Sequence, residues 1–126
     1  ARVLVGEVNG VVGPVKHVAT EPVYFDLHLA AGASYTAALP PAHNAFVYVY
    51  DGAAKVGAAS TTIERGELAL LTHGAVLPVA AGEAGARLIV VAGQPLNEPI
   101  ARYGPFVMNT PEEIRQAFAD YQAGRL

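Results

Sequence analysis

The apolar residues of this chain come in short runs separated by glycine and proline, and this spacing is its most constraining feature. In the clearest run, PVYFDLHLAAG, the apolar residues alternate with less apolar neighbours; they are Val23, Phe25, Leu27 and Leu29. That period of two is typical of a strand with one buried face. Similar runs recur roughly every 8–12 residues with turn residues between them, as in sandwiches and barrels. The sequence therefore predicts an all-β, antiparallel fold.

Other strands follow from the same pattern. In AFVYVY, the pattern places Phe46, Tyr48 and Tyr50 on one face, and Val47 and Val49 on the other. Further strands are predicted at 2–5 and 15–19, around the glycine-rich turn GEVNGVVGP. Two more apolar runs bounded by glycine are GELALLTHG and ARLIVVAG.

One C-terminal helix is predicted at about 111–123. Thr110 is a natural N-cap, Pro111 suits the first helical position, and Glu113 can complete a capping box. Gly124 is a plausible stop with the favourable charge of Arg125 beside it. An apolar stripe at helical spacing must pack on something; its members are Ile114, Ala117, Phe118 and Tyr121.

Composition narrows the class of protein. At 126 residues the chain suits one domain, predicted here to span 1–126. The net charge is −3 and the eight Lys and Arg are scattered, which argues against nucleic acid as a partner. Apolar runs fall short of the roughly 20 residues that span a bilayer. With no visible signal peptide, a cytoplasmic location is expected, or a nuclear one in a eukaryote. The chain begins at Ala1 rather than Met, which suggests a processed product or one part of a longer polypeptide.

The histidines are the first candidates for chemistry. Barrel metal sites usually use a His-x-His pair, a carboxylate and a later histidine, and this chain has no His-x-His or His-x-Glu. Isolated histidines are more often structural or solvated than ligands. No paired carboxylates, nucleophile elbow or phosphate loop stand out either. A metal set of His43, His28 and His73 is the least favoured reading, and the fourth histidine is His17.

The irregular stretch AGQPLNEPIARYGPFVMNT, at 92–110, is long for a loop. Such loops are often functional, although a packed connection to the helix is the favoured reading. From GQPLNEPI to the end of the helix, the sequence closely resembles the C-terminal end of the pirin family. The stretch from EVNGVVGPVKHVATEPVYFDLHL to YVYDG resembles the start of the second domain of that family.

The resemblance implies a jelly-roll (cupin-like) barrel. Pirins have two such barrels, with iron held by three histidines and a glutamate in the N-terminal one. This chain resembles only the second barrel, which is normally metal-free. In cupin register, the metal-binding glutamate falls at about Asn44, the histidine pair among 37–40, and the later histidine at about Leu77, with His73 out of place. The resemblance therefore implies no metal and no cofactor in this chain, and no catalytic residue.

Two functions remain open. In the first, the chain is the C-terminal cupin domain that packs against an N-terminal pirin barrel, in cis or in trans. The whole protein would then be a quercetin 2,3-dioxygenase-like enzyme or a metal-dependent regulatory cofactor. In the second, it is a free-standing cupin-like domain that binds a small ligand with His43, Tyr48 and Tyr50.

Isolation from a partner barrel would expose apolar surface. The expected outcome is a dimer or binding to an N-terminal half; the alternative is a helix that packs on its own barrel. The candidate interface residues are Tyr103, Phe106, Ile114, Phe118 and Tyr121.

Overall fold

The computed structural model describes residues 1–15 and 19–125. His17 and most of the predicted strand 15–19 lie outside these residues. The strands are β1 (Arg2–Val5), β2 (Glu7–Val8), β3 (Val11–Val12), β4 (Val23–Leu29), β5 (Ser34–Ala38), β6 (Asn44–Val56), β7 (Thr61–Glu64), β8 (Leu68–Leu71), β9 (Val76–Gly93), β10 (Ala101–Tyr103) and β11 (Phe106–Met108); the helix is α1 (Pro111–Gln122).

The chain forms two compact units, Ala1–Pro95 and Leu96–Leu126. The first holds β1 to β9, and the second holds the β10–β11 hairpin and α1. The expectation of one domain over 1–126 stays a prediction.

Two long strands organise the first unit. The central ladder pairs β6, of 13 residues, with β9, of 18 residues, in antiparallel register. One half of this ladder continues through β4 to β1 on one side and pairs with β8 on the other. The other half pairs with β5 and β7. One ladder therefore runs through both halves of a folded sheet, as in a jelly-roll barrel.

The ladder bends where two glycines meet. Pairing of β6 with β9 shifts register between Val49 and Asp51, and again between Gly52 and Ala54. Gly52 has φ +71°, and a Cβ there would lie 2.2 Å from the carbonyl oxygen of Gly85. Because only glycine permits this approach, the backbones can cross from one half of the sheet to the other.

The inner faces of both halves share one core. On β4 the predicted alternation is confirmed, since Val23, Phe25 and Leu27 are buried. On β6 it is confirmed by Val47 and Val49, both 0% exposed. The second half contributes buried side chains to the same cluster, including Ala37, Ala54, Val56, Leu77 and Val79. Burial of this apolar area is the main stabilising term of the unit.

The helix of the second unit is confirmed with its capping signals. The Glu113 N–H donates to Thr110 Oγ1 at 3.2 Å, and the Thr110 hydroxyl donates to the Glu113 carboxylate at 3.0 Å. At the C-terminus, the Gly124 N–H donates to the Tyr121 carbonyl and the Arg125 N–H to that of Asp120. This pair of bonds is a Schellman motif. Among the described residues, no helix has the length and apolar character needed to cross a bilayer.

Substitution of Gly52 by Ala should destabilise the protein strongly. The new Cβ meets the Gly85 backbone in addition to the cost of a positive φ. Gly32 is the matched control, since it has φ +70° and no atom within 4 Å of an added Cβ. Gly32→Ala should cost about 1–2 kcal/mol of unfolding free energy, and Gly52→Ala clearly more. Urea denaturation of both variants measures this; equal losses would mean that the close approach does not matter.

Candidate functional site

A small cavity in the first unit brings two histidines together. Its volume is about 210 Å³, and its walls come from β6, β8 and β9, from the loops before β6 and β9, and from the turn at Gly57 that follows β6. The polar lining side chains are His43, His73 and Thr72, and the apolar lining includes Leu39, Leu71 and Val76. The cavity therefore combines an aliphatic wall with two imidazoles.

Each imidazole is held through its Nε2 atom. His43 is 6% exposed, and its Nε2 lies 3.0 Å from the carbonyl oxygen of Glu21. His73 Nε2 lies 3.0 Å from Asn44 Oδ1. A carbonyl oxygen can only accept, so Nε2 of His43 carries the proton. The same assignment for His73 follows from the amide oxygen of Asn44.

The positions that hold metal in cupin register do not fit a metal here. Ala37 and Leu77 are direct cross-strand partners, and both are buried in the apolar core with Leu39. Asn44 supplies a neutral amide, already hydrogen-bonded to His73, in place of a carboxylate. Within residues 1–15 and 19–125, no three His, Asp or Glu side chains are grouped so that they could hold a metal ion.

A second polar cluster lies on the opposite face of β6, where Tyr50 meets β4. The Tyr50 hydroxyl donates to Asp26 Oδ1 at 2.8 Å, and His28 Nε2 lies 2.7 Å from that hydroxyl and 3.1 Å from Asp26 Oδ2. Burial and the hydrogen bond to Asp26 raise the pKa of Tyr50 to about 12. Tyr50 therefore stays a neutral hydrogen-bond donor.

The structure separates the three predicted ligand-binding residues. His43 lines the cavity, whereas Tyr48 and Tyr50 are not among its lining residues. Tyr48 follows the buried Val47 on β6 and lies opposite Ile89 and Leu68. Their ligand-binding role stays a prediction. His28, in the Tyr50 cluster, is likewise apart from His43 and His73.

The interface candidates all belong to the second unit. Phe118 of α1 makes edge-on contacts with Phe106 and Tyr103 of the hairpin, with ring centroids 4.9 and 5.6 Å apart. Ile114 is 7% exposed. Tyr103 and Tyr121 keep most of their surface open, at 69% and 68%. The helix stripe thus packs on its own hairpin and leaves two aromatics exposed. Their role as interface residues stays a prediction.

Sequence reasoning missed Thr72 and the Asp26–Tyr50 pair. Asp26 and His28 are two apart on one strand, which was a usable signal of a shared face. Their meeting with Tyr50 depends on the strand order β4–β9–β6, which periodicity does not report.

The fold and the site together define a cupin-type barrel whose metal positions carry apolar or amide side chains. Residues 24–126 match the family described as the Pirin C-terminal cupin domain. The chain belongs to the pirin family.

Relatives in this family are longer than this chain. A protein named "Putative quercetin 2,3-dioxygenase" from Pseudomonas aeruginosa is 47% identical over 116 residues, which are 91% of this chain and 40% of that protein. Pirin of Homo sapiens is 34% identical and is matched over 42% of its length, with 95% of this chain covered. The solved structure of quercetin 2,3-dioxygenase from Acinetobacter baumannii superimposes with a TM-score of 0.83 at 35% identity, covering 98% of this chain and 42% of that one. The chain spans about two-fifths of each.

Replacement of Tyr50 by Phe should weaken the pH dependence of stability in the alkaline range. Because the pKa of Tyr50 is raised from about 10 to about 12, the folded state keeps a proton that the unfolded state loses in this window. The free energy of unfolding should therefore fall as pH rises through it. Tyr50→Phe should lessen this fall and cost about 1 kcal/mol at neutral pH, for the lost hydrogen bond. Urea denaturation at several pH values measures both effects. The control is Tyr121→Phe, since Tyr121 is exposed; identical profiles for the two variants would contradict the assignment.

The purified chain should bind Fe, Ni, Cu, Mn and Zn only substoichiometrically. Such sites need several N or O ligands that converge on the ion, and the cupin positions here carry Ala37, Leu39, Asn44 and Leu77. Elemental analysis of the native protein checks this. Stoichiometric metal that is lost in His43→Ala would show that the chain has a site of its own.

Proposed function

We propose that this chain works as the C-terminal, metal-free cupin half of a pirin-like protein and packs against a metal-binding N-terminal barrel. One observation carries the proposal. The match is to the C-terminal cupin domain of the family, and the chain accounts for only 40% of the Pseudomonas relative and 42% of human pirin. The remaining length in such relatives is sufficient for a second barrel.

The activity of the whole protein belongs to the same proposal. The family resemblance implies an iron ion on three histidines and a glutamate in the N-terminal barrel. Together with the relatives named for quercetin 2,3-dioxygenase, this supports a dioxygenase-like enzyme; a metal-dependent regulatory cofactor is the second form. This chain would supply structural support in either case, in a cytoplasmic protein.

The second unit offers apolar surface for the contact. Its exposed large apolar side chains are Leu96, Ile100, Tyr103, Val107 and Tyr121. A groove of about 550 Å³ lies beside them, lined by Ile100, Tyr103, Ile114 and Phe118 among others. Clustered exposed apolar residues are typical of interaction sites, and contacts between domains bury about 600–1,500 Å². We infer that the N-terminal barrel covers this surface, and that copies of this chain pair through it when that barrel is absent.

The alternative, a free-standing domain that binds a small ligand, keeps one observation in its favour. His43 lines a cavity, together with His73 rather than with Tyr48 and Tyr50.

The docking proposal predicts a complex between this chain and the N-terminal barrel of the Pseudomonas relative. Sedimentation at micromolar concentration should show a heterodimer in the mixture and a dimer for this chain alone. Tyr103→Ser should weaken both at least tenfold, since buried aromatic side chains at interfaces contribute about 2 kcal/mol or more.

Val11→Ser is the matched control, because Val11 is 53% exposed but lies in the first unit. It should leave both complexes intact. A clean monomer, unchanged by Tyr103→Ser and indifferent to the added barrel, would refute the proposal.

A further inference from the structure

The cavity between His43 and His73 has the features of a binding site for a small charged molecule. Pockets for drug-sized ligands measure about 300–1,000 Å³, whereas this cavity measures about 210 Å³. Its occupant must therefore be small. Its walls combine aliphatic side chains with the two imidazoles and the hydroxyl of Thr72.

Both imidazoles have one nitrogen left for a bound molecule. Nε2 is engaged by Glu21 in His43 and by Asn44 in His73, and the described residues provide no hydrogen-bond partner for either Nδ1. Since His43 and His73 both line the cavity, it is the space in which a bound molecule can meet either Nδ1.

The charges around the cavity decide what kind of molecule fits. Among the described residues, His43 and His73 are the titratable side chains of the lining, which contains no Lys, Arg, Asp or Glu. Lys55 and Glu64, on the strands that flank the Gly57 turn, are not lining residues. Glu21 meets His43 through its backbone carbonyl, and the residue is exposed.

We propose that this cavity binds a small monocarboxylate, whose oxygen atoms accept hydrogen bonds from Nδ1–H of His43 and His73 and whose hydrocarbon part lies against Leu39, Leu71 and Val76. The carbonyl acceptors at Nε2 also suit the protonated rings, because both nitrogens of an imidazolium donate. Hydrogen bonds between charged partners are roughly twice as strong as neutral ones. The lining offers no carboxylate that would compete with the ligand.

Binding must then be coupled to proton uptake. A neutral imidazole with its proton on Nε2 has only a lone pair at Nδ1 and repels a carboxylate, so the anion selects the protonated rings. Imidazole changes charge between about pH 5 and 8, and affinity should fall as pH rises across this range. A neutral ligand that donates to Nδ1 would show the opposite dependence.

Titration of the full chain with butyrate, followed by NMR chemical shifts, tests the site. Butyrate should bind at least about tenfold more weakly at about pH 8 than at about pH 6, as expected for the uptake of one proton or more. Butyramide, its neutral analogue, should bind at least tenfold more weakly than butyrate at the lower pH. Equal binding of the two molecules, affinity that does not change with pH, or no binding of butyrate would each overturn the proposal.

Three substitutions of histidine by glutamine test whether butyrate binds at His43 and His73. The glutamine amide can replace the Nε2–H donor but cannot be protonated, so His73→Gln should remove about half of the pH dependence and weaken butyrate binding about tenfold. His43→Gln should act in the same way; His73→Gln carries the test if the buried position does not tolerate the change. The control is His28→Gln, outside the cavity, which should leave binding unchanged. If His28→Gln lowers affinity as much as His73→Gln, the ligand is elsewhere. The outcome of this butyrate test does not depend on the proposed docking to an N-terminal barrel, because that proposal rests on residues 96–126.

Discussion

The antiparallel pairing of β6 with β9 is the interaction on which the rest of the first unit depends. Every other strand of the seven-stranded sheet is attached to this ladder directly or, for β1, through β4. The ladder is too long for one flat sheet, and it folds where the backbones of Gly52 and Gly85 approach each other. The fold brings two inner faces together, so that Val49 of one half and Val79 of the other share a core.

The position of the cavity follows from the pairing of β6 with β8. Leu71 lies opposite Ala45 in this antiparallel register, so the residues that follow β8 lie beside those that precede β6. His73 therefore meets Asn44, and His43 and His73 line one cavity. In the separate register of β5 with β9, Ala37 faces Leu77, where a metal-binding cupin would need imidazoles. The barrel geometry therefore carries aliphatic side chains at these positions, and His43 and His73 lie at a different place, in the cavity.

The second unit is held together by contacts among its own residues. An edge-on aromatic cluster of Tyr103, Phe106 and Phe118 holds the hairpin to the helix. Backbone hydrogen-bonding groups at both helix ends find partners within the unit, through the Thr110 side chain at one end and through the Schellman bonds at the other. At the last turn, Asp120 accepts from Arg125 and Gln116, and these bonds lower its pKa. These contacts are internal to the unit and leave Tyr103 and Tyr121 exposed.

The sequence by itself determined the elements whose signals are local. Period-two alternation placed the buried faces of β4 and β6, and the Thr110–Glu113 and Gly124 signals placed α1 to within a residue of its end. The family resemblance supplied the barrel, which periodicity alone does not distinguish from a sandwich. Only the tertiary structure decided that His43 meets His73 while Tyr50 meets Asp26 and His28 on the other face of β6. The first meeting depends on the register of β6 with β8, and the second on the strand order β4–β9–β6. Both result from contacts between residues far apart in the chain, whereas alternation records only which face of a strand is buried.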